Sequence, residues 1–318
     1  MSDPLPTYAL KDIRPLLQRG EVIAAVREAV IRHSAGEVQS PMPGQLTFPE
    51  VNGDCHIKYG HIRGADQFVV KIATGFYDNP QSGQPVNNGL MLLFDSRTGA
   101  PRCLFQDEGW MTAWRTAAAV ALAAHCLAPR PAPHVGIIGT GQQAQLATQW
   151  VPEVLPGATF MLLGRDASRT RETADRCGAR VAPSMASLLS NSDIVITTTP
   201  AAHALFAAED AHPGQHFVAV GADGPEKQEL PPQLFGRASV ILTDDHAQCL
   251  ALSDFGRAVR TGVIAADTDR ALGDVLGARF ALERKPAEIT IADLTGLAAQ
   301  DIAIANLLFG KLQEQAHR

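Results

Sequence analysis

The chain has no cysteine pair at C-x-x-C spacing. Cys55, Cys103, Cys126, Cys177 and Cys249 are dispersed and odd in number. A disulfide frame is therefore excluded as the organising device, and reduced, structural thiols are expected. A long apolar run is also missing: the longest strongly apolar stretch, Ala117 to Ala124, is far shorter than the ~20 residues of a bilayer span. Met1-Ser2-Asp3-Pro4 has neither a basic n-region nor an apolar h-region, so no secretion signal is expected and the cytoplasm is the expected compartment. There is no basic block either. Lys and Arg total 27 against 33 acidic residues, a formal net charge of −6, which argues against nucleic acid as the main partner. No metal site is expected. His212 and His216 have i, i+4 spacing, but Pro213-Gly214 breaks the helix that would aim both rings at one ion, and both read as loop histidines.

What is present begins with length. The 318 residues, 46% of them hydrophobic, suggest about two domains, each large enough for its own core. The apolar run Val135-Gly136-Ile137-Ile138 leads into Gly139-Thr140-Gly141-Gln142-Gln143-Ala144, after which a helical pattern continues through Leu146 and Trp150. This is a dinucleotide-binding turn in its proper setting. The first glycine makes the tight strand-to-helix turn and the second lets the backbone approach a pyrophosphate. Ala144 permits close helix-sheet packing, and the helix N-terminus offers unpaired amides and a partial positive charge.

Residues 1 to about 125 read as an α+β unit. Glu21 to Ile31 is an amphipathic helix with Val22, Ile23, Val26 and Val30 at helical spacing. Strand-like runs follow at His56 to Tyr59, Phe68 to Ala73, Leu90 to Phe94 and Arg102 to Phe105, with Asp95-Ser96-Arg97-Thr98-Gly99 as a hairpin turn. An alanine-rich helix runs from Thr112 to about Leu127, and Pro129, Pro131 and Pro133 mark a boundary. Beyond it strands alternate with helices: Val135 to Ile138, Phe160 to Leu163, Asp193 to Thr198, His216 to Val220, Ser239 to Thr243 and Ile289 to Ile291. The expected fold is α/β, a Rossmann-type doubly wound parallel sheet plus a discontinuous α+β domain. The last helix, about Leu297 to Leu312, returns to the first domain. The expected division is 1–125 plus 300–318 against 126–299.

In such a fold the end of the second strand meets the adenosine ribose. An acidic side chain there favours the free 2′-hydroxyl and an arginine accommodates a 2′-phosphate. The segment is Gly164-Arg165-Asp166-Ala167-Ser168-Arg169. Arg165, Ser168 and Arg169 favour NADP(H), while Asp166 keeps NAD(H) open. The same polar residues also suit a capped helix start with Asp166 or Ser168 as the cap.

Three charges stand where pattern alone would not put them. Lys71 interrupts the buried-strand run Phe68-Val69-Val70-Lys71-Ile72-Ala73. It is either a ligand-binding lysine or an edge-strand lysine that snorkels. Arg115 lies in the first turn of its helix on the face of Ala118, Ala119 and Leu122, opposing the helix dipole, and so needs an anionic partner. A substrate carboxylate would serve, as would an ion pair with Asp107 or Glu108. Asp223 follows the strand His216 to Val220 through Gly221-Ala222, at the edge where open parallel sheets bind ligands. It is either a proton carrier or a simple Asp turn beside Pro225.

Taken in order, Val70-Lys71-Ile72-Ala73, Asn88-Gly89-Leu90-Met91, Thr112-Ala113-Trp114-Arg115-Thr116-Ala117-Ala118, Gly139 to Ala144, Val220-Gly221-Ala222-Asp223-Gly224-Pro225 and Asp293-Leu294-Thr295-Gly296 resemble the ornithine cyclodeaminase/mu-crystallin family. The resemblance runs from about Gln39 to Gln300. It implies that Lys71 and Arg115 hold a substrate α-carboxylate, that Asp223 is the catalytic acid/base, with Lys71 as a second catalytic candidate, and that the first domain builds a homodimer by pairing its sheet with a partner's. The residues expected at the cofactor are Thr112, Gly139, Thr140, Gly141, Gln142, Gln143, Ala144, Gly164, Arg165, Asp166, Ser168, Arg169, Thr198, Thr199, Pro200, Val220, Gly221, Leu294 and Thr295. One departure concerns an arginine that the family often carries after a Gln-Pro-like segment. Gln39-Ser40-Pro41-Met42 places Met42 there, so carboxylate binding rests on Lys71 and Arg115, with Lys58 or His56 as further ligands. Glu108, Trp110, His61 and Asp78 are candidates for the side-chain end of the pocket.

The family includes cyclodeaminases, amino-acid dehydrogenases, cyclic imine and ketimine reductases, and binding proteins. The first expectation is an NAD(P)-dependent oxidoreductase acting on the C–N bond of an α-amino or cyclic imino acid. The second is a cyclodeaminase-type lyase that releases ammonia with NAD as an internal redox cofactor. The third is an NADP(H)-dependent small-molecule binding protein of mu-crystallin type.

Overall fold

The computed structural model describes residues 4–280 and 284–317. Met1-Ser2-Asp3 of the N-terminal reading and Arg318 of the first expected domain lie outside the described residues. The chain divides into two compact units, Met1–Thr116 with Leu297–Arg318, and Ala117–Gly296.

The first unit is built on a mixed sheet of β1 (Thr7–Ala9), β2 (Val38–Gln39), β3 (Gly44–Phe48), β4 (Gly53–Ile62), β5 (Gln67–Phe76), β6 (Asn87–Asp95) and β7 (Pro101–Gln106). The order is β1-β7-β6-β5-β4-β2, with β3 also on β4. Only β1 joins in parallel, to β7; the other pairs are antiparallel. Register puts Lys58 opposite Lys71 and Lys71 opposite Met91. Because side chains alternate along a strand, His56, Lys58, Gly60, Lys71 and Met91 share one face. The C-terminal helix Ala298–Ala316 packs on that face, and the helix Arg19–Ser34 packs on it in turn. Its close approach depends on Gly60, where a Cβ would lie 2.6 Å from the Gln39 carbonyl oxygen and 3.2 Å from Ala298 Cβ. Lys71 thus stands on a central strand between β4 and β6 and is 1% exposed, which corrects the edge-strand reading.

The opposite face of the sheet is also apolar. Leu46, Phe48 and Tyr59 are 54%, 37% and 43% exposed, beside the half-buried Ile72, Leu92 and Phe94. An antiparallel sheet with one watered face would carry polar side chains there.

The second unit is an eight-stranded parallel sheet: β8 (His134–Ile138), β9 (Thr159–Leu163), β10 (Arg180–Val181), β11 (Ile194–Thr197), β12 (His216–Ala219), β13 (Ala238–Thr243), β14 (Arg270–Ala271) and β15 (Ile289–Asp293). The order β10-β9-β8-β11-β12-β15-β13-β14 reverses direction between β8 and β11, the switch point at which such sheets bind ligands beyond their carboxyl ends. The expected doubly wound sheet is therefore present. No helix among the described residues is long and apolar enough to cross a membrane.

His216 is not a loop histidine, whereas His212 does lie in an exposed loop. His216 opens β12, is 0% exposed, and bonds Thr290 Oγ1 through Nδ1 at 2.9 Å and the Ala123 carbonyl through Nε2 at 3.0 Å. Since a carbonyl only accepts, Nε2 carries the proton and Nδ1 accepts from the Thr290 hydroxyl, an arrangement for neutral imidazole. Burial lowers its pKa to about 4, outweighing the bond to Ala123. A folded-state value below the unfolded one stabilises fully above the unfolded pKa, and that stabilisation is lost as pH falls from ~6.5 toward the folded value. His216→Gln should lose ~1–2 kcal/mol at pH 7.5 and show a shallower decline between pH 6.5 and 4 than wild type, read by urea melts. Parallel pH profiles for the two proteins would exclude this role.

Candidate active site

In the first unit Lys71 and Arg115 converge on a residue the sequence reading missed. Lys71 Nζ lies 2.9 Å from Asp301 Oδ2, and Arg115 Nε donates to Asp301 Oδ1 at 2.9 Å. The Arg115 Nη1 donates to Gln300 Oε1 at 2.8 Å. Asp301 and Gln300 sit in the first turn of the C-terminal helix, which the missing side chain of Gly60 lets settle onto the sheet. Of the two partners the sequence offers Arg115, the alternative ion pair with Asp107 or Glu108 is therefore replaced by one with Asp301. Asp107 Oδ2 instead accepts from Met111 N at 2.7 Å, in the first turn of the helix Trp110–Cys126, and burial raises its pKa to about 6.

All four members of the cluster are buried. Burial raises the Asp301 pKa, but the charges of Arg115, Lys71 and Lys58 overcome this and hold it below its usual value. Burial and the neighbouring Arg115 charge drive Lys71 down to about 7 against the pull of Asp301, so Lys71 is the member that yields its proton most readily. Gln300 Nε2 is buried with no hydrogen-bond partner among the described residues, a donor left over beside two cations. A donor-rich, cation-rich cluster of this kind suits an incoming carboxylate.

The other candidates of this unit are placed as follows. Lys58 is 7% exposed, directly across from Lys71. One strand step away on the same face, His56 Nε2 lies 3.7 Å from Asp54 Oδ1 and has no hydrogen-bond partner among the described residues, while Tyr77 donates to Asp54 Oδ2 at 3.0 Å. Thr112 is half-buried, and Met42 is 48% exposed. Trp110 packs on Trp114 with ring centroids 4.1 Å apart; His61 Nε2 lies 2.9 Å from the Ala65 carbonyl; Asp78 accepts from Asn52; Glu108 is exposed in a left-handed turn.

In the second unit Gly139 has φ +129 and its missing Cβ would strike Thr198, so only glycine fits the turn out of β8. Gly141 is the N-cap of the helix Gln142–Trp150, no side chain caps it, and a Cβ there would meet nothing within 4 Å. Open space at an uncapped helix N-terminus fits a pyrophosphate, and fully buried Ala144 keeps the helix tight on the sheet. Thr140 is half-buried, and a Cβ on Gly164 would strike it at 2.6 Å, so the ends of β8 and β9 lie close together. After β9, Arg165, Asp166, Ser168 and Arg169 are all exposed. Asp166 is the N-cap of the helix Ala167–Cys177, accepting from Arg169 N at 2.8 Å, and Ser168 donates to Glu172.

Asp223, just beyond β12, is partly exposed and paired at 2.8 Å with Lys227, four residues on in the same loop, a partner the sequence reading also missed. Thr198, Thr199 and Pro200 follow β11, and Val220 and Gly221 follow β12. Leu294 and Thr295 are buried. Asp244 accepts from both the amide and the hydroxyl of Thr295. Among the described residues no group of three or more His, Cys, Asp or Glu side chains could hold a metal ion.

The Asp301 clasp makes a testable statement. Asp301→Asn leaves two buried cations facing a neutral amide, and should cost ~3–5 kcal/mol in urea melts, part of which Asp301→Asn/Lys71→Met should restore. A single variant as stable as wild type would mean that the pair is not held by this charge.

Comparison with known proteins gives the arrangement its relatives. A cyclodeaminase of Sinorhizobium fredii, itself uncharacterised, is 35% identical over 288 residues, 88% of this chain and 86% of that protein. An alanine dehydrogenase of Archaeoglobus fulgidus is 30% identical over 94% of this chain and 92% of its own. The solved structure of a Thermococcus litoralis Δ1-pyrroline-2-carboxylate reductase, in complex with NADH and L-proline, superposes with a TM-score of 0.89 at 25% identity over 98% of both chains. The ornithine cyclodeaminase/mu-crystallin profile matches residues 9–316, and the chain belongs to that family.

Proposed function

We propose that the protein is an NAD(P)-dependent oxidoreductase that acts on the C–N bond of an α-amino acid or cyclic imino acid, as an amino-acid dehydrogenase or ketimine/imine reductase. The observation that carries this reading is the buried cluster of Lys71, Arg115, Asp301 and the spare donor of Gln300, which is built for a carboxylate. The relatives' activities on alanine and pyrroline-2-carboxylate support it. When bound, the nicotinamide supplies or accepts the hydride at the substrate α-carbon. Lys71 and Arg115 fix the α-carboxylate, with Lys58 and His56 on the same sheet face as further contacts, so the α-carbon is presented in one orientation. Asp223, steadied by Lys227, gives the proton to nitrogen on reduction and takes it on oxidation. An anion beside Lys71 raises that lysine's hold on its proton, so substrate binding takes up a proton near pH 7.

Arg165 favours NADP(H). It is exposed at the end of β9, whereas the acid that would bind a ribose hydroxyl, Asp166, is already committed to capping a helix. The turn at Gly139–Ala144 accepts either dinucleotide. We assign the enzyme to the cytoplasm.

An absorbance assay at 340 nm tests this reading, offering pyrroline-2-carboxylate, piperideine-2-carboxylate or pyruvate with ammonia to NADH or NADPH, and amino acids to the oxidised cofactors. Turnover is expected, with KM for the imino acid rising above pH 7. Asp223→Ala should lower kcat by ~10²-fold or more with little change in cofactor affinity, and Arg165→Ala should weaken NADPH selectively. Ammonia release from ornithine without net absorbance change would replace the reading by a cyclodeaminase-type lyase, as the Sinorhizobium relative's name suggests. Ligand binding without turnover would replace it by a mu-crystallin-type binding protein.

The apolar outer sheet face of the first unit supports a homodimer formed through that face, with Leu46, Phe48 and Tyr59 at its exposed part. Sedimentation should give twice the chain mass, falling to the chain mass for Leu46→Lys/Phe48→Lys. An unchanged dimer in that variant would move the interface elsewhere.

A further inference from the structure

The second unit contains a buried carboxylate that the reaction scheme above leaves unused. Glu229 is 0% exposed. Its Oε1 accepts from the Thr199 amide and, at 2.8 Å, from the Thr199 hydroxyl. Its Oε2 accepts from Thr197 Oγ1 at 2.7 Å, Gly221 N at 2.7 Å and Val220 N at 3.3 Å. Five donors from two strand ends therefore meet on one side chain, three from the end of β11 and two from the end of β12. No neutral side chain of that length accepts so many.

Gly221 fits the same purpose. A Cβ there would collide with the Thr199 carbonyl oxygen and lie 2.7 Å from Glu229 Cδ, so the two strand ends approach as closely as bare backbone permits. Glu229 is itself held. Asp254, 1% exposed at the start of the helix Asp254–Arg260, accepts from Glu229 N at 3.2 Å and from Leu230 N at 2.9 Å. Two residues beyond Gly221 comes Asp223.

We infer that Glu229 is a positioning residue for hydride transfer: its carboxylate clamps the carboxyl ends of β11 and β12, and thereby sets the backbone from which Asp223 and the segment Thr198–Pro200 project. This rests on the reading of that edge as the nicotinamide and proton-transfer end of the site. The clamp acts directly on the reacting end; the pyrophosphate turn at Gly139–Ala144 leaves β8 and meets the clamped segment only where Gly139 packs on Thr198, while its helix-end amides belong to the helix Gln142–Trp150. Loosening Glu229 should therefore lower catalysis more than cofactor binding.

The test is Glu229→Gln in the full chain. An amide of the same shape brings one oxygen and two N–H donors to a place where five donors converge, so at least one strand-end amide loses its acceptor. A shift of this kind near reacting atoms lowers kcat by ~10²-fold. The dinucleotide Kd should rise far less than kcat falls, because the pyrophosphate keeps its helix-end amides. The primary deuterium isotope effect on kcat, measured with 4-deuterated reduced cofactor, should be at least as large as in wild type. Thr197→Val, which removes one donor without changing side-chain volume, provides a folded control should Glu229→Gln fail to fold. It should lower kcat about fivefold with a smaller change in Kd. Unchanged kcat in the folded variant, or a kcat loss matched by an equal loss of dinucleotide affinity, would reduce Glu229 to a structural carboxylate. Absence of hydride transfer in the wild-type enzyme would overturn the parent reading, and this inference with it.

Discussion

The first unit depends on the placement of one negative charge, Asp301, between two cations in a core that excludes water. Lys71 and Arg115 come from a central strand and from the second turn of a helix, and neither could stay charged there alone at tolerable cost. Asp301 reaches them only because the C-terminal helix lies almost on the backbone of β4 at Gly60. A missing side chain on one strand thus allows a carboxylate on a distant helix to hold two cations in place. The result is a buried charge cluster with one amide donor to spare.

The second unit solves a different problem by similar means. Parallel strand ends carry amides that would otherwise compete for water, and buried carboxylates collect them. Glu229 gathers the ends of β11 and β12, Asp254 secures Glu229, and Asp244 closes the turn after β15 by accepting from the amides of Thr295 and Gly296. Asp293, at the end of β15, accepts from Ser253 and from Phe255 N, and burial raises its pKa to about 7. Such carboxylates cost desolvation energy, and each repays it by several charge-assisted hydrogen bonds that fix loop geometry.

Much of the fold is legible in the chain. The strands that alternate or run apolar, from Phe68 to Ala73 or from Val135 to Ile138, are where pattern places them, and the parallel sheet follows from their alternation with helices. Strands of two residues such as β2, β10 and β14 are too short to carry a period, and β3 is exposed along its length, so no burial pattern marks it. Lys71 and Arg115 were visible because a charge interrupts an apolar pattern. Their partner was not. An aspartate in the first turn of a helix reads as an ordinary complement to the helix dipole, and 230 residues separate it from Lys71. Glu229 was hidden for a like reason: Glu226-Lys227-Gln228-Glu229 looks like a solvated stretch, and only the third dimension shows its last member turned inward.

Asp166 illustrates how one short loop couples separate properties. Its side chain starts a helix whose exposed surface is otherwise rich in arginine, and it stands where adenosine discrimination is made in folds of this type. A change that turned this carboxylate toward a ribose would also uncap the helix, while a change that removed it for the sake of a phosphate would weaken the same turn. Drift between the two nicotinamide currencies is therefore tied to folding, and a lineage exploring that exchange would need a replacement cap, for which Ser168 is two residues too far into the helix.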